Sequence, residues 1–157
     1  MSDDRIIEIT LDDVSLVSRI PEVEHERAIA IYDLLEENSF IPIGDFKGPY
    51  TVHLAIEDTN RLAFHIGNLD NDLLHKTTMG LTPFRRIIRE YFSICESYFD
   101  AIKRMTPSQI ETIDMARRSL HNEGSAILMD RLHEKISLDK DTARRFFTLI
   151  CVLHFKG

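Results

Sequence analysis

From residue 50 onward the hydrophobic period of this chain changes from strand-like to helical, and the change falls at Thr82-Pro83. Before it, Tyr50, Val52, Leu54 and Ile56 alternate with Thr51, His53, Ala55 and Glu57, and Leu62, Phe64 and Ile66 alternate with Arg61, Ala63 and His65. Alternation of this kind marks strands with one buried face. After it, Phe84, Ile88, Tyr91, Cys95, Tyr98, Ile102 and Met105 recur at steps of four and three, a helical seam. Strands gathered in one part and helices in another read as an α+β fold.

Asp58-Thr59-Asn60 joins the alternating runs as a tight turn, which sets Leu54 opposite Phe64, His53 opposite His65 and Glu57 opposite Arg61. A third strand, Leu73 to Met79, follows the turn-rich Gly67 to Asp72, and a turn centred on Asp70 puts His75 opposite His65. Ile7, Ile9 and Leu11 alternate with Glu8 and Thr10 as a short first strand. Pro21 opens a helix, and Glu22, Glu24 and Glu26 suit its positive end. Arg27 to Leu35 is apolar almost all round, which predicts a well-buried helix, ended by Asn38 and Pro42. Thr82 is a natural N-cap with Pro83 behind it, and Thr106-Pro107-Ser108-Gln109 fits a capping box. The helix begun there reaches Gly124, where it breaks, bends or admits a close neighbour. Ile127, Leu128, Leu132 and Ile136 continue the pattern. A last helix, capped at Asp139 or Asp141, carries Phe146, Phe147, Ile150, Cys151 and Leu153. The expectation is a single α+β domain over residues 1–157. It consists of a small antiparallel β-sheet of three to four strands packed against four to five α-helices, with a helical C-terminal half.

With 157 residues, 43% of them apolar, the chain can bury a core without a disulfide or a structural metal. Cys95 and Cys151 form no Cys-x-x-Cys pair and lie in apolar helical stretches, which points to a reducing, cytoplasmic location. The start Met1-Ser2-Asp3-Asp4-Arg5 has no basic, apolar leader, and the longest apolar run, Phe146 to Leu153, is far short of the ~20 residues that span a bilayer. No membrane partner is expected. The net charge of −7 argues against nucleic-acid binding, which needs a clustered basic surface. That charge is uneven. Residues 1–80 hold 6 Lys+Arg against 16 Asp+Glu, and residues 81–157 hold 13 against 10. The asymmetry suggests attraction between the halves, within a chain or between two copies, and the second case predicts a homodimer; the simpler reading is that each half presents a solvated charged face.

Four segments together carry a resemblance. They are Val23-Glu24-His25-Glu26-Arg27 leading into Ile31-Tyr32-Asp33-Leu34-Leu35, Leu81-Thr82-Pro83-Phe84-Arg85-Arg86, Arg117 to Ser125, and Asp141-Thr142-Ala143-Arg144-Arg145. In them the chain resembles, over nearly its whole length, the small bacterial proteins grouped as Uncharacterised Protein Family 0262. The resemblance implies a bacterial cytosolic protein. It brings no assigned function and no catalytic or binding residue.

Chemistry must therefore be sought in the residues themselves. Arg117, Arg118, His121, Asn122, Glu123 and Ser125 concentrate donors and charge within nine residues. Arginine forks suit phosphates and carboxylates, and a helix break at Gly124 would set Ser125 at a new helix N-terminus, an anion site. The same arginines would otherwise pair with acids of the N-terminal half. Arg-Arg recurs at Arg85-Arg86, Arg117-Arg118 and Arg144-Arg145, and two of these pairs fall in first helical turns, against the helix dipole. Such cations call for an anionic ligand or an acidic surface such as Glu22, Glu24 and Glu26, and the internal surface is the simpler answer.

Metal binding has two weak geometries. Glu22-x-x-His25 and Asp130-x-x-His133 imitate the ligand spacing of di-metal bundles, and His53, His65 and His75 could converge across the sheet. Neither comes with a full ligand set, so no metal and no cofactor is expected. The cysteines look like inert core residues, and the common hydrolase, nucleotide-binding and dinucleotide-binding signatures are missing. The aromatic residues Phe84, Tyr91, Phe92, Tyr98 and Phe99 form a wide stripe that suits an internal core or a second chain. Two readings result. One is a non-catalytic binding or regulatory protein acting through protein–protein contacts. The other is a small enzyme or binding protein for an anionic, phosphate- or carboxylate-bearing metabolite, using the Arg117–Ser125 segment.

Overall fold

A computed structural model describes residues 3–12, 21–58, 60–101 and 103–154. The chain runs β1 (Ile6–Leu11), α1 (Pro21–Glu36), β2 (Phe40–Pro42), β3 (Tyr50–Glu57), β4 (Arg61–Gly67), β5 (Leu73–Gly80), α2 (Arg85–Ala101), α3 (Pro107–Leu132), β6 (Ile136–Leu138) and α4 (Lys140–His154). The fold is α+β, and the C-terminal half is helical. Four strands form one sheet in the order β1-β3-β4-β5, and β2 pairs with β6 in a second, two-stranded sheet. The larger sheet is mixed rather than purely antiparallel, because β1 runs parallel to β3. The intervening α1 supplies the crossover that a parallel pair requires. Among the described residues, no helix is long and apolar enough to cross a membrane.

The hairpin has the register read from its alternation, with Leu54 opposite Phe64, His53 opposite His65 and Glu57 opposite Arg61. Asn60 N–H closes the turn onto the Glu57 carbonyl at 3.2 Å, while Thr59 lies outside the described residues. Two expectations about register are corrected. A bulge at Gly67 shifts β5, so Lys76 faces His65 and His75 faces Ile66 on the other side of the sheet. A second irregularity in β1 turns Ile6 inward in place of Ile7.

The buried sheet face carries Ile6, Ile9, Leu11, Tyr50, Val52, Leu54, Leu62, Phe64 and Ile66. Helix α4 lies between that face and the other helices. Its Phe146 meets Phe64 at 5.7 Å and Phe40 at 6.1 Å. The next residue, Phe147, turns the other way and meets Tyr91 at 6.0 Å and Phe84 at 6.4 Å. The helix buried along most of its length is therefore α4 and not α1. In α1 only Ala30 and Leu34 of the Arg27–Leu35 stretch are buried, while Ile29, Tyr32 and Leu35 reach solvent.

Helix ends explain several further differences. Thr106 and Gln109 form the expected reciprocal capping box. Thr82 does not cap: it begins a single 3₁₀ turn over Thr82–Phe84, and its hydroxyl contacts Asn60. Asp139 caps α4 by accepting from Thr142 N–H at 2.9 Å. The Asn38 side chain joins the end of α1 to β1, donating to the Leu34 and Ile6 carbonyls and accepting from Ile6 N–H. Ile136 belongs to β6, not to a helix.

Gly124 does not break α3, which continues to Leu132. A Cβ there would lie within 2.7 Å of three Phe147 ring carbons, so glycine is what lets α4 approach. Gly124→Ala should therefore destabilise the protein by about 1–3 kcal/mol in urea unfolding, despite alanine's better helix propensity. Combining it with Phe147→Leu should recover part of the loss.

Candidate functional site

A part-buried polar cluster gathers where α1, α2, α3 and α4 meet. Glu26 of α1 accepts from the Tyr91 hydroxyl at 2.9 Å and from Arg117 Nη1 at 3.2 Å. Arg117 Nη2 also donates to Asp114 at 2.7 Å. Burial works against the Arg117 charge, but Glu26 and Asp114 outweigh it and raise its pKa. Burial, with Cys95 and Glu26 nearby, likewise raises the pKa of the Tyr91 phenol and keeps it protonated.

His121 of α3 stacks on Tyr91 with ring centroids 5.3 Å apart and meets the Phe147 ring edge-on at 5.8 Å. Its Nε2 lies 3.5 Å from the Thr148 hydroxyl. Burial first, then the positive charges of Arg144 and Arg117, push its pKa down to about 4. The ring is neutral at physiological pH.

Above this floor a cleft of about 230 Å³ opens between α1 and α4. Helix α1 lines it with Glu26, Ile29, Ala30 and Asp33, α3 with His121, and α4 with Asp141, Arg144, Arg145 and Thr148. The two arginines follow the first turn of α4, so the expectation that they sit within it, against the dipole, is not met. Arg144 donates to Asn122 Oδ1, and Arg145 donates to the Glu37 carbonyl at 3.1 Å. Among the described residues neither has a carboxylate partner. Each of the other Arg-Arg pairs has at least one member in an ion pair. Arg86 pairs with Glu90 and Glu123, and Arg118 pairs with Asp114 at 3.0 Å. Arg117 takes Glu26 and Asp114, and Arg85 donates to Asn60. Of the acidic surface expected to meet these cations, Glu26 takes Arg117 and Glu24 takes its neighbour Arg27. The side chain of Glu22 lies outside the described residues.

The residues singled out by sequence are thus dispersed. His121 lines the cleft, Asn122 holds Arg144 at its rim, and Arg117 reaches the floor through Glu26. Arg118 points outward, and Glu123 is turned toward Arg86. Ser125 is buried in mid-helix, donating to the Asn122 carbonyl, and is not at a helix N-terminus. Sequence reasoning did not place Glu26, Asp33 and Thr148 together, since they come from helices far apart in the chain. The Arg144-Arg145 pair near a helix start was the available signal.

Elsewhere, His53 and His65 face each other at 5.8 Å on the outer sheet face, with the Thr10 hydroxyl 2.6 Å from His53 Nδ1. His75 stacks on Phe46 on the other side, so the three imidazoles do not converge. No group of three His, Cys, Asp or Glu among the described residues is arranged to hold a metal. Both cysteines are buried and neither is in a disulfide among the described residues, and burial raises the Cys151 thiol well above its ordinary value. Phe84 and Tyr91 of the aromatic stripe are in the internal core, while the Tyr98, Phe99 and Ile102 side chains lie outside the described residues.

Residues 3–156 match the Uncharacterised protein family (UPF0262). The chain belongs to that family. A UPF0262 protein of Rhodospirillum rubrum is 56% identical over 154 residues, covering 98% of this chain and 94% of that one. Relatives from Agrobacterium fabrum, 54% identical over 155 residues (99% of this chain, 98% of the relative), and Ruegeria pomeroyi, 55% over 162 residues (100% of both), are similarly complete matches. No solved structure matches this UPF0262 chain. The family name specifies no activity.

The His121 environment carries a pH signature. Its folded pKa of about 4 lies below the unfolded value of 6.5, so the unfolded chain binds more protons between them. This contribution to stability is complete above pH 6.5 and is lost as pH falls toward 4, by up to about 3 kcal/mol. His121→Phe should flatten that part of the curve in denaturant titrations at stepped pH. An unchanged slope would show that His121 is not held neutral.

Proposed function

We propose that this protein is a cytosolic binding protein whose α1–α4 cleft takes a small anionic group. The observation that carries the reading is that Arg144 and Arg145 line the cleft and are held only by neutral oxygens. Two adjacent guanidiniums offer forked donors to a carboxylate or phosphate. The Thr148 hydroxyl and the neutral His121 ring add uncharged polar groups below them. Compared with the Arg117–Ser125 segment, this site keeps His121 and Asn122 and transfers the anion-holding charge to α4. Binding is favoured over catalysis because Glu26, the carboxylate at the floor, already accepts from Tyr91 and Arg117.

The test is a thermal-shift titration with inorganic phosphate and acetate. A ligand at one hundred times its Kd adds about 2.7 kcal/mol, an upward shift of several degrees for a domain of this size. Arg144→Ala and Arg145→Ala should each weaken binding about tenfold or more without lowering the melting temperature of the free protein. A flat response to every anion overturns the reading.

Protein contact has its own support. Ile29, Tyr32 and Leu35 of α1 are 41%, 64% and 37% exposed and lie three residues apart, so they form one apolar ridge beside the cleft. The ridge suits a homodimer in which α1 of each copy packs on the other, with a tyrosine at its centre. Sedimentation should find a dimer that Tyr32→Glu converts to monomer with little change in unfolding free energy. A monomeric wild type excludes this contact.

A further inference from the structure

We infer that the cleft takes a zwitterion of the amino-acid type, its carboxylate on Arg144 and Arg145 and its ammonium beside Asp33. The inference rests on the anion-binding reading above and specifies the ligand class. The cleft is bipolar. Its α4 wall presents two guanidiniums held by neutral oxygens, while Asp33 on α1 and Asp141 on α4 have no cation within ion-pair distance among the described residues. Glu26 does not count in this balance, because Arg117 already compensates it. Asp141 precedes Arg144 and Arg145 by one helical turn, a spacing at which such side chains ordinarily pair, yet here they do not. Charges of both signs thus face one gap of about 230 Å³ without closing on each other.

A plain anion leaves the Asp33 charge beside it uncompensated, and a phosphate carrying more charge fares worse. A molecule with an ammonium as well as a carboxylate satisfies both walls. Of the remaining lining, Ile29 and Ala30 are aliphatic and His121 and Thr148 are uncharged and polar, so the ligand's third group is a small uncharged side chain, represented below by aliphatic ones. The cleft is smaller than the ~300–1,000 Å³ typical of drug-sized ligands, which suits a single amino acid.

The experiment is calorimetric titration of the whole chain with matched pairs that differ only by the ammonium. The pairs are L-leucine against 4-methylpentanoate and L-valine against 3-methylbutanoate. The expected result is that the amino acid binds about tenfold or more tighter in at least one pair. Asp33→Asn should erase that advantage and leave or improve the affinity for the deaminated acid. Asp33 makes no side-chain hydrogen bond among the described residues, so this variant should melt with the wild type, and Asp141→Asn serves as the second variant. Equal or tighter binding of the deaminated acids overturns the zwitterion inference and leaves the anion-binding reading standing. So does a preference for the amino acid that survives both Asp33→Asn and Asp141→Asn. If no member of either pair binds, and phosphate and acetate also give no thermal shift, both readings fall.

Discussion

Two consecutive phenylalanines on α4 hold the two layers of this protein together. Neighbouring residues on a helix point about 100° apart. Phe146 therefore enters the sheet layer, among Phe40 and Phe64, while Phe147 enters the helical layer, among Phe84, Tyr91 and His121. Much of the remaining architecture accommodates this wedge. Gly124 gives up its side chain to it. His121 is made neutral partly because Phe147 and Tyr91 exclude water from its ring. The cleft lies directly over the junction the wedge creates.

What could be read from the residues follows the range of the interaction that decides it. The Asp58–Asn60 turn and its flanking alternation fix the β3–β4 register, because both strands are local and one face is buried. The Thr106–Gln109 box is equally local. His75 was misplaced because a one-residue bulge at Gly67 reverses every side chain after it. The burial of α1 was overestimated because an apolar composition does not reveal which neighbours exist to cover it. Strands β2 and β6 have three residues each and pair across a long separation, too little pattern for any periodicity to register.

The site was legible only as a question. Three Arg-Arg pairs signalled cations in need of anions, but composition could not say which would find them inside the molecule. The fold divides them. Arg86, Arg117 and Arg118 are met by carboxylates one helical turn away or on an adjacent helix. The pair on α4 faces a gap between helices, where the nearest oxygens belong to an amide and a backbone carbonyl. The same residue type is thus ion-paired in one place and left to neutral oxygens in the other, according to what the packing leaves beside it.

The central position of α4 also bears on the order in which the chain can assemble. The helix that fills the core comes after every strand, and Ser39 is tied to Thr142 across 103 residues. During synthesis the sheet, α2 and α3 emerge before the element they pack against. Until α4 forms, the inner-face Phe64 and the Phe40 of the second sheet lack the Phe146 ring that packs on both, and a nascent chain in that state exposes apolar surface of the kind chaperones recognise. Contacts of such long sequence separation also slow folding, since loop-closure entropy is spent before they form. Folding here is completed from its C-terminal side.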